Sequence, residues 1–204
     1  MGRIPAGDPD RSLRTEVHMN KTDLAIYIQN EEQLRRAESL LDRIEQERNY
    51  AGMVELAGIL EELHNDNLEE EICALYTEAA DEGKVPEAMV RLALIYRDKR
   101  ISKNSAEKSF RYAYEAAHLG NTEAEYVLAE LFQGCHNTLA LYWMKHAANK
   151  GHVEAARGVA ELYDEMKKHE LAEKFYRKAL ELGDESAAKK VTWLGKLFRI
   201  LKYS

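Results

Sequence analysis

The chain has 204 residues, of which 45% are hydrophobic, so it can bury a continuous core as one domain. It has only three prolines, and no apolar stretch approaches the ~20 residues that a membrane-spanning helix requires. The net charge is −7. These values exclude a chain of transmembrane helices and favour an all-helical protein.

The first 20 residues differ from the rest of the chain. Residues 2–10 contain turn formers and no periodicity, which predicts a disordered leader over residues 1–20. The pair His18-Met19 matches the dipeptide that a common cloning junction leaves, so we expect residues up to about His18 to be vector-derived. The same region lacks a charged-then-apolar secretion signal. Residues 21–204 are predicted to form a single repeat domain.

Helices are predicted from residue 30 onward. Asn30 to Gln33 has the pattern of a capping box and opens a helix with Leu34, Ala37 and Leu41 on one side. Next come a helix around residues 52–60 and a partner helix over residues 68–80, the first members of a series of helix pairs.

A short motif with two small residues and a glycine then recurs. Its glycines are 37, 31 and 32 residues apart, a period typical of stacked two-helix units. The copies end at Gly83, Gly120, Gly151 and Gly183. Each glycine is predicted to follow the second helix of a pair in a left-handed cap, and aromatic residues before it are expected to fill the gap between adjacent pairs. These aromatic residues are Tyr76, Phe110, Tyr112, Tyr114, Tyr142, Trp143, Phe175 and Tyr176.

A closing helix is predicted from about residue 186 to 203. Val191, Leu194, Phe198 and Leu201 form a stripe that would cover the last repeat. Beside that stripe lie three further apolar residues and a basic set, which could bind a partner, a second copy or an anionic membrane. These residues are Trp193, Leu197 and Ile200, with Lys189, Lys190, Lys196, Arg199 and Lys202.

The repeat pattern resembles the Sel1-like repeat, a short-solenoid relative of the tetratricopeptide repeat. Residues 116–129 and 175–183 match it best, and the resemblance covers roughly residues 50–195. Pro86 and Leu180 depart from the pattern. The resemblance implies an all-α, right-handed superhelical solenoid of about four helix–turn–helix repeats with a C-terminal capping helix. It also implies an adaptor that assembles or regulates other proteins. Secreted members pair cysteines within repeats, whereas Cys73 and Cys135 lie in different repeats, so a reducing cytoplasm is expected.

Charge is unevenly distributed between two segments. Residues 31–87 hold 17 acidic and 5 basic side chains, a net of −12, whereas residues 88–204 hold 15 acidic and 20 basic, a net of +5. This difference could orient a charged partner. The alternative is that it only reflects the charged surfaces of helices.

No catalytic signature, cofactor motif or metal-ligand spacing is present, so the chain is predicted not to be an enzyme and to bind no cofactor or small-molecule substrate. Cys135, His136, His146 and His152 form the one cluster that suggests a metal, but it lacks the two facing ligand pairs of a zinc site. His118 and His146 are instead expected at helix C-termini. Nucleic-acid binding is not favoured, because the early repeats are acidic and one basic loop is a weak signal. That loop contains Arg97, Lys99, Arg100 and Lys103.

A partner-binding groove is predicted on the first helices of the pairs, at positions two before and two after the central Leu or Val of each. Val90, Leu94 and Tyr126 are apolar there without a core role, which favours recognition. The alternative is that a neighbouring helix pair buries them. The full predicted set is Val54, Val90, Leu94, Arg97, Tyr126, Glu130, Arg157, Glu161, Lys189 and Trp193.

The function predicted from these observations is a cytoplasmic protein-interaction module that holds a segment of another protein in this groove. It would act as an assembly adaptor, a chaperone or a toxin-immunity protein. The alternative is a peripheral membrane or nucleic-acid adaptor acting through the basic C-terminal half. An enzyme is the third possibility.

Overall fold

The structure is a computed structural model that describes residues 19–99 and 104–202, and only the backbone of Lys99 and residues 195–202. Within this part of the chain the regular structure is helical and includes no strand. A short 3-10 turn spans Asp66–Leu68. The α-helices are α1 Lys21–Tyr27, α2 Glu31–Glu47, α3 Tyr50–Glu62, α4 Glu69–Asp81, α5 Pro86–Lys99, α6 Ser105–His118, α7 Thr122–Phe132, α8 Asn137–Asn149, α9 Val153–Glu165, α10 His169–Glu181 and α11 Ala187–Lys202.

The described residues divide into two compact units, with the boundary between Ala88 and Met89. In unit 1, consecutive helices pack on one another from α1 to α4. Its core includes the fully buried Leu24, Leu56, Leu60 and Leu75. Asparagine side chains accept backbone N–H groups at the start of every α-helix except α4 in this unit, because a short amide reaches the unbonded donors of the first turn. These caps are Asn20, Asn30 and Asn49.

Helix α1 was not predicted, nor was the involvement of Met19 and Asn20 in the fold. Asn20 forms a reciprocal capping box with Asp23, Met19 is buried, and the Met19 N–H donates to Glu71 Oε1 at 3.1 Å. Met19 and Asn20 therefore belong to the folded unit rather than to the predicted leader, and residues 1–18 lie outside the described residues. An Asn-x-x-Asp spacing could have revealed this start.

At Asn30 only half of the predicted capping box forms. The Asn30 side chain accepts from the N–H groups of Glu32 and Gln33. The Gln33 side chain does not complete the box in the way predicted, because its Nε2 donates to Glu62 at 3.3 Å.

Unit 2 contains successive helix pairs. Ser109 Oγ donates to the Ala93 carbonyl at 2.8 Å and ties α6 to α5, and α7 packs on α8 and α9 on α10. The small residues of the motif are fully buried at Ala116, Ala147, Ala148 and Ala179, which lets helix backbones approach closely. Leu180, at the divergent position of the last copy, is exposed.

Three of the four motif glycines have the predicted left-handed backbone. Gly120, Gly151 and Gly183 have φ of 89°, 100° and 106°. In each copy the residue after glycine donates its N–H to the carbonyl of the first small residue, at 3.1, 3.1 and 2.9 Å. This Schellman arrangement satisfies carbonyls that the helix leaves unbonded.

The left-handed prediction is wrong for Gly83. There the positive φ of 51° belongs to Lys84. Glycine is required at residue 83 for a different reason, since a Cβ would lie 2.6 Å from the Cβ of Tyr50 and 2.8 Å from the Ala79 carbonyl oxygen.

The aromatic residues before the glycines differ in burial. Tyr76, Tyr112, Phe175 and Tyr176 are buried as predicted, and Trp143 is half-buried. Phe110 is exposed, but its ring meets the Phe132 ring of α7 in the next pair, with centroids 5.6 Å apart. The prediction is wrong for Tyr114 and Tyr142, which are exposed. In α11, Leu194 is buried and Trp193 is exposed. Predictions for Lys196, Leu197, Phe198, Arg199, Ile200, Leu201 and Lys202 concern side chains outside the described residues.

Candidate partner-binding surface

In unit 2 the predicted groove residues lie on α5, α7 and α9, the first helices of the pairs, and on the closing helix α11. We call this set the first-helix line. Its members are Val90, Leu94, Arg97, Tyr126, Glu130, Arg157, Glu161, Lys189 and Trp193. Val54 lies on α3 in unit 1 and is half-buried.

The expectation that the apolar members have no core role is wrong for Val90. Val90 is 5% exposed, and its neighbours Met89 and Leu92 are also buried. Successive helical residues point about 100° apart around the helix axis. Side chains are therefore buried around much of the circumference of α5, including at Val90. Leu94 is half-buried on the same helix.

The next repeat engages Tyr126 and Arg157 through its capping residue. The Tyr126 ring stacks on the His152 ring with centroids 4.5 Å apart, and Arg157 Nη1 lies 3.2 Å from Asp184 Oδ2. His152 and Asp184 directly follow the left-handed glycines of their copies. Equivalent positions on two successive helices therefore hold one repeat to the next, a role that the sequence analysis missed.

His152 also caps α9, and Asp184 also holds the turn that precedes α11. The Ala155 N–H donates to His152 Nδ1 at 3.1 Å, and the Ser186 N–H donates to Asp184 Oδ1 at 3.0 Å. The Ser186 hydroxyl and the charge of Arg157 hold the pKa of Asp184 below its ordinary value. The polar residue after each glycine was the available sequence signal, since caps favour short acceptors.

Polar contacts connect Glu130 to other residues of the first-helix line. Arg97 Nη1 donates to Glu130 Oε2 at 2.5 Å. Burial, the negative charge of Glu130 and a hydrogen bond to that carboxylate raise the pKa of Tyr126 to about 12. On the far side of the Tyr126 ring, His152 Nε2 lies 2.8 Å from Glu123 Oε2, and this contact keeps the pKa of Glu123 low. Arg97 is thus engaged within unit 2, while Arg100 and Lys103 of the predicted basic loop, and the side chain of Lys99, lie outside the described residues.

The C-terminal end of the line is open to solvent. Glu161, Lys189 and Trp193 are exposed, and a shallow depression is lined by Ala188, Lys189, Thr192 and Trp193. The Trp193 and His169 rings meet nearly at right angles, with their centroids 6.5 Å apart. Behind it, Asp164 pairs with His169 at 3.1 Å and with Lys190 at 3.4 Å.

Beneath the surface, Glu125 is a buried carboxylate that the sequence analysis did not single out. It is 1% exposed, and it lies between His146 Nδ1 at 2.8 Å and Lys150 Nζ at 2.7 Å. The other copies have Met89, Ala156 and Ala188 at this position, so the repeat pattern could have marked it as a core site.

The residues of the possible metal cluster have separate roles. His146 contacts Glu125, His152 caps α9, and the Cys135 thiol points to the carbonyls of Leu131 and Phe132. Within residues 19–99 and 104–202, no three His, Cys, Asp or Glu side chains are grouped as metal ligands. His118 and His146 lie in the last turns of α6 and α8, as predicted. None of the described helices is long and apolar enough to cross a membrane.

Comparison with solved structures identifies the fold. A Sel1 repeat protein from Oxalobacter formigenes superposes with a TM-score of 0.66 and 21% identity, over 84% of this chain and 74% of that one. A protective antigen present in uropathogenic Escherichia coli strains, which displays an SLR fold, superposes with a TM-score of 0.66 and 19% identity over 84% of this chain. This chain spans 38% of the length of that antigen.

No protein-family model matches the sequence, and no curated protein matches it. The structural likeness and the helix pairs α3–α4, α5–α6, α7–α8 and α9–α10, followed by α11, confirm the predicted fold class.

Proposed function

We propose that this chain, which has the Sel1-like repeat fold, is a cytoplasmic protein-interaction module that binds a segment of another protein along the first-helix line of unit 2. Folds made of repeated helix pairs display extended surfaces, and such surfaces commonly bind other proteins. An assembly adaptor, a chaperone and a toxin-immunity protein would each use a surface of this kind.

The observation that carries the proposal is Trp193. Its side chain is 52% exposed although it lies beside the buried Leu194, and Lys189 is one helical turn away on the same helix. Equivalent positions in the preceding copies of unit 2 are Leu94, Glu130 and Glu161, so repeat packing does not require an aromatic residue there. Exposed tryptophan is a characteristic anchor of protein interfaces.

The rest of the line suits a bound segment because its polar side chains are already held in place. Arg97 is fixed by Glu130, and Arg157 by Asp184. A surface that is ordered before binding loses little further side-chain freedom when a partner arrives. Lys189 lies beside the Trp193 anchor, and the exposed Glu161 occupies the position equivalent to Trp193 on α9. A partner segment with an apolar residue and charges of both signs would fit.

Site-specific photo-crosslinking in the cell of origin tests this proposal. A benzophenone amino acid placed at residue 193 should give a discrete protein adduct, identifiable by mass spectrometry. The same group at Leu180, which is exposed on the second helix α10, should not give that adduct. Trp193→Gln should then weaken binding of the identified partner at least tenfold, since aromatic anchors dominate interface energy.

Two results would contradict the proposal. One is an equal adduct from residues 180 and 193, which would indicate random collision. The other is crosslinking of residue 193 to lipid alone, which would favour the membrane alternative.

A further inference from the structure

Unit 2 carries a second exposed surface on its second helices. Phe110, Tyr114 and His118 are spaced four residues apart and form one stripe along α6. The ring centroids of Phe110 and Tyr114 are 5.8 Å apart, and those of Tyr114 and His118 are 4.0 Å apart. A parallel stripe on α8 contains Leu139, Tyr142 and His146, spaced three and four residues apart. Residues at these spacings share one side of a helix.

Trp143 joins the two stripes into one surface. Its ring lies 6.4 Å from the His118 ring on α6 and 5.4 Å from the Tyr142 ring on α8. We call this surface the aromatic face, and it consists of Phe110, Tyr114, His118, Leu139, Tyr142, Trp143 and His146.

Four of its residues are more exposed than packing of the repeats requires, whereas Trp143 packs partly against the core. Tyr142 is 59% exposed, Tyr114 44%, Leu139 43% and Phe110 39%. Counted back from the motif glycine, Tyr142 stands where the other copies have Ala74, Arg111 and Lys174, and Tyr114 stands where they have Thr77, Lys145 and Arg177. The fold therefore accepts small or charged residues at both positions. A contiguous exposed surface rich in tyrosine and tryptophan is typical of a binding site.

The charge around the aromatic face restricts the partner. Residues 131–153 contain no aspartate or glutamate, in a chain with 36 of them. The same segment contains Lys145 and Lys150 together with His136, His146 and His152. The one carboxylate that His146 contacts belongs to the buried Glu125. The aromatic residues of α8 are therefore surrounded by neutral or positive groups. Helix α6 has Glu107 and Glu115 against Lys108 and Arg111, so the balance around the whole face stays positive and complements a partner that combines apolar and acidic side chains.

We propose that the aromatic face is a second binding surface, separate from the first-helix line, for an amphipathic helix of another protein whose apolar stripe is flanked by aspartate or glutamate. The apolar stripe would lie across the stripes of α6 and α8, which the His118 and Trp143 rings connect, as an amphipathic helix packs on an apolar surface. The flanking carboxylates would face Lys145 and the histidine rings.

Binding of synthetic peptides to the full chain tests the proposal. The probe is a fluorescein-labelled 18-residue helix-forming peptide with a Leu/Phe stripe flanked by glutamate. A second peptide has lysine in place of glutamate, and a third has the glutamate composition in scrambled order. Fluorescence anisotropy should show the glutamate peptide binding at least tenfold more tightly than both others.

Matched variants locate the binding surface. Leu139→Gln and Tyr142→Gln should each weaken binding of the glutamate peptide at least tenfold. Leu171→Gln is the control, because Leu171 lies at the same distance from its motif glycine as Leu139 and has a similar exposure of 40%. It should change binding less than twofold. Circular dichroism melts confirm that each variant is folded.

Five results would overturn the proposal. Unchanged binding in both Leu139→Gln and Tyr142→Gln would remove the surface, and equal binding of the lysine peptide would remove the charge complementarity. Loss of binding in Trp193→Gln alone would place the peptide on the first-helix line. That result would contradict this inference but not the proposed function. Self-association in sedimentation velocity, or capture by phosphatidylserine vesicles, that Tyr142→Gln abolishes would assign the face to a second copy or to lipid.

Discussion

The first helices and the second helices of unit 2 use aromatic residues in opposite ways. On the first-helix line, Tyr126 is half-buried and stacks on His152 of the next repeat. On the aromatic face, Tyr142 is exposed, and its ring neighbours include Trp143 and His146 of its own helix. The first arrangement holds successive repeats together, whereas the second leaves the rings available. An aromatic residue on a repeat surface thus indicates a binding site only where its contacts with adjacent repeats leave the ring exposed.

The largest expected effect on stability comes from enlarging a buried alanine of the repeat motif. Ala148→Leu should lower the free energy of unfolding by about 3 kcal/mol, because Ala148 is fully buried and added side-chain atoms overpack a closed site. Leu180 occupies the equivalent place in the next copy and is exposed, so Leu180→Ala should change stability by less than about 0.5 kcal/mol. Urea unfolding measures both. A neutral Ala148→Leu would show that helix contacts there do not depend on the small residue.

The ion pair of the buried Glu125 carboxylate should also contribute to the free energy of unfolding. Lys150→Met removes the lysine 2.7 Å from Glu125 and leaves that carboxylate buried with only His146 beside it. We expect a loss of about 2 kcal/mol, less than the ~3–5 kcal/mol of a fully buried pair, because Lys150 itself is 37% exposed. Lys178→Met is the control, since Lys178 donates to the neutral Asn149 amide. Equal losses in the two variants would contradict an electrostatic role for Glu125.

The hydroxyl of Tyr126 adds a smaller, pH-dependent effect. Its pKa is raised to about 12 in the folded protein, and that of an unfolded tyrosine is about 10. The folded state therefore holds the proton more tightly, and this contribution to stability is present below pH 10 and is lost as the pH rises from 10 to 12. Tyr126→Phe should unfold with a shallower pH dependence in that window. Identical slopes for wild type and variant would show that Tyr126 does not titrate in the way its surroundings imply.

The fold could be predicted from the sequence because its determinants are local. The alanine pairs and the glycines at residues 120, 151 and 183 specify where helices approach and end, and their spacing alone reveals the repeat. The reason that residue 83 is glycine could not be predicted, because Tyr50, which occupies the space beside it, lies 33 residues earlier. Contacts at that sequence distance are invisible to a helical period.

The candidate binding surfaces were also hard to predict, because contacts between repeats join residues that are far apart in the sequence. Periodicity shows which side of its own helix a residue occupies, but not what the next repeat places opposite it. Tyr126 therefore read as exposed, since nothing in the sequence marked His152 as its neighbour. Phe110, Tyr114 and Tyr142 read as buried because nearby aromatic residues in the same motif, such as Tyr112 and Phe175, are core residues. Comparison with the charged residues at equivalent positions, such as Lys174, would have separated them.

The most direct test of the contrast between the two surfaces compares Tyr126→Gln with Tyr142→Gln, in thermal unfolding and in binding of the glutamate peptide. We expect Tyr126→Gln to lower Tm by about 4–8 °C, since loss of a half-buried ring costs about 2 kcal/mol, and to leave peptide affinity within twofold. Tyr142→Gln should leave Tm within about 2 °C and weaken the peptide at least tenfold. The reverse pattern, with Tyr142→Gln unfolding early and Tyr126→Gln stable, would contradict the assignment of one tyrosine to the repeat array and the other to a partner.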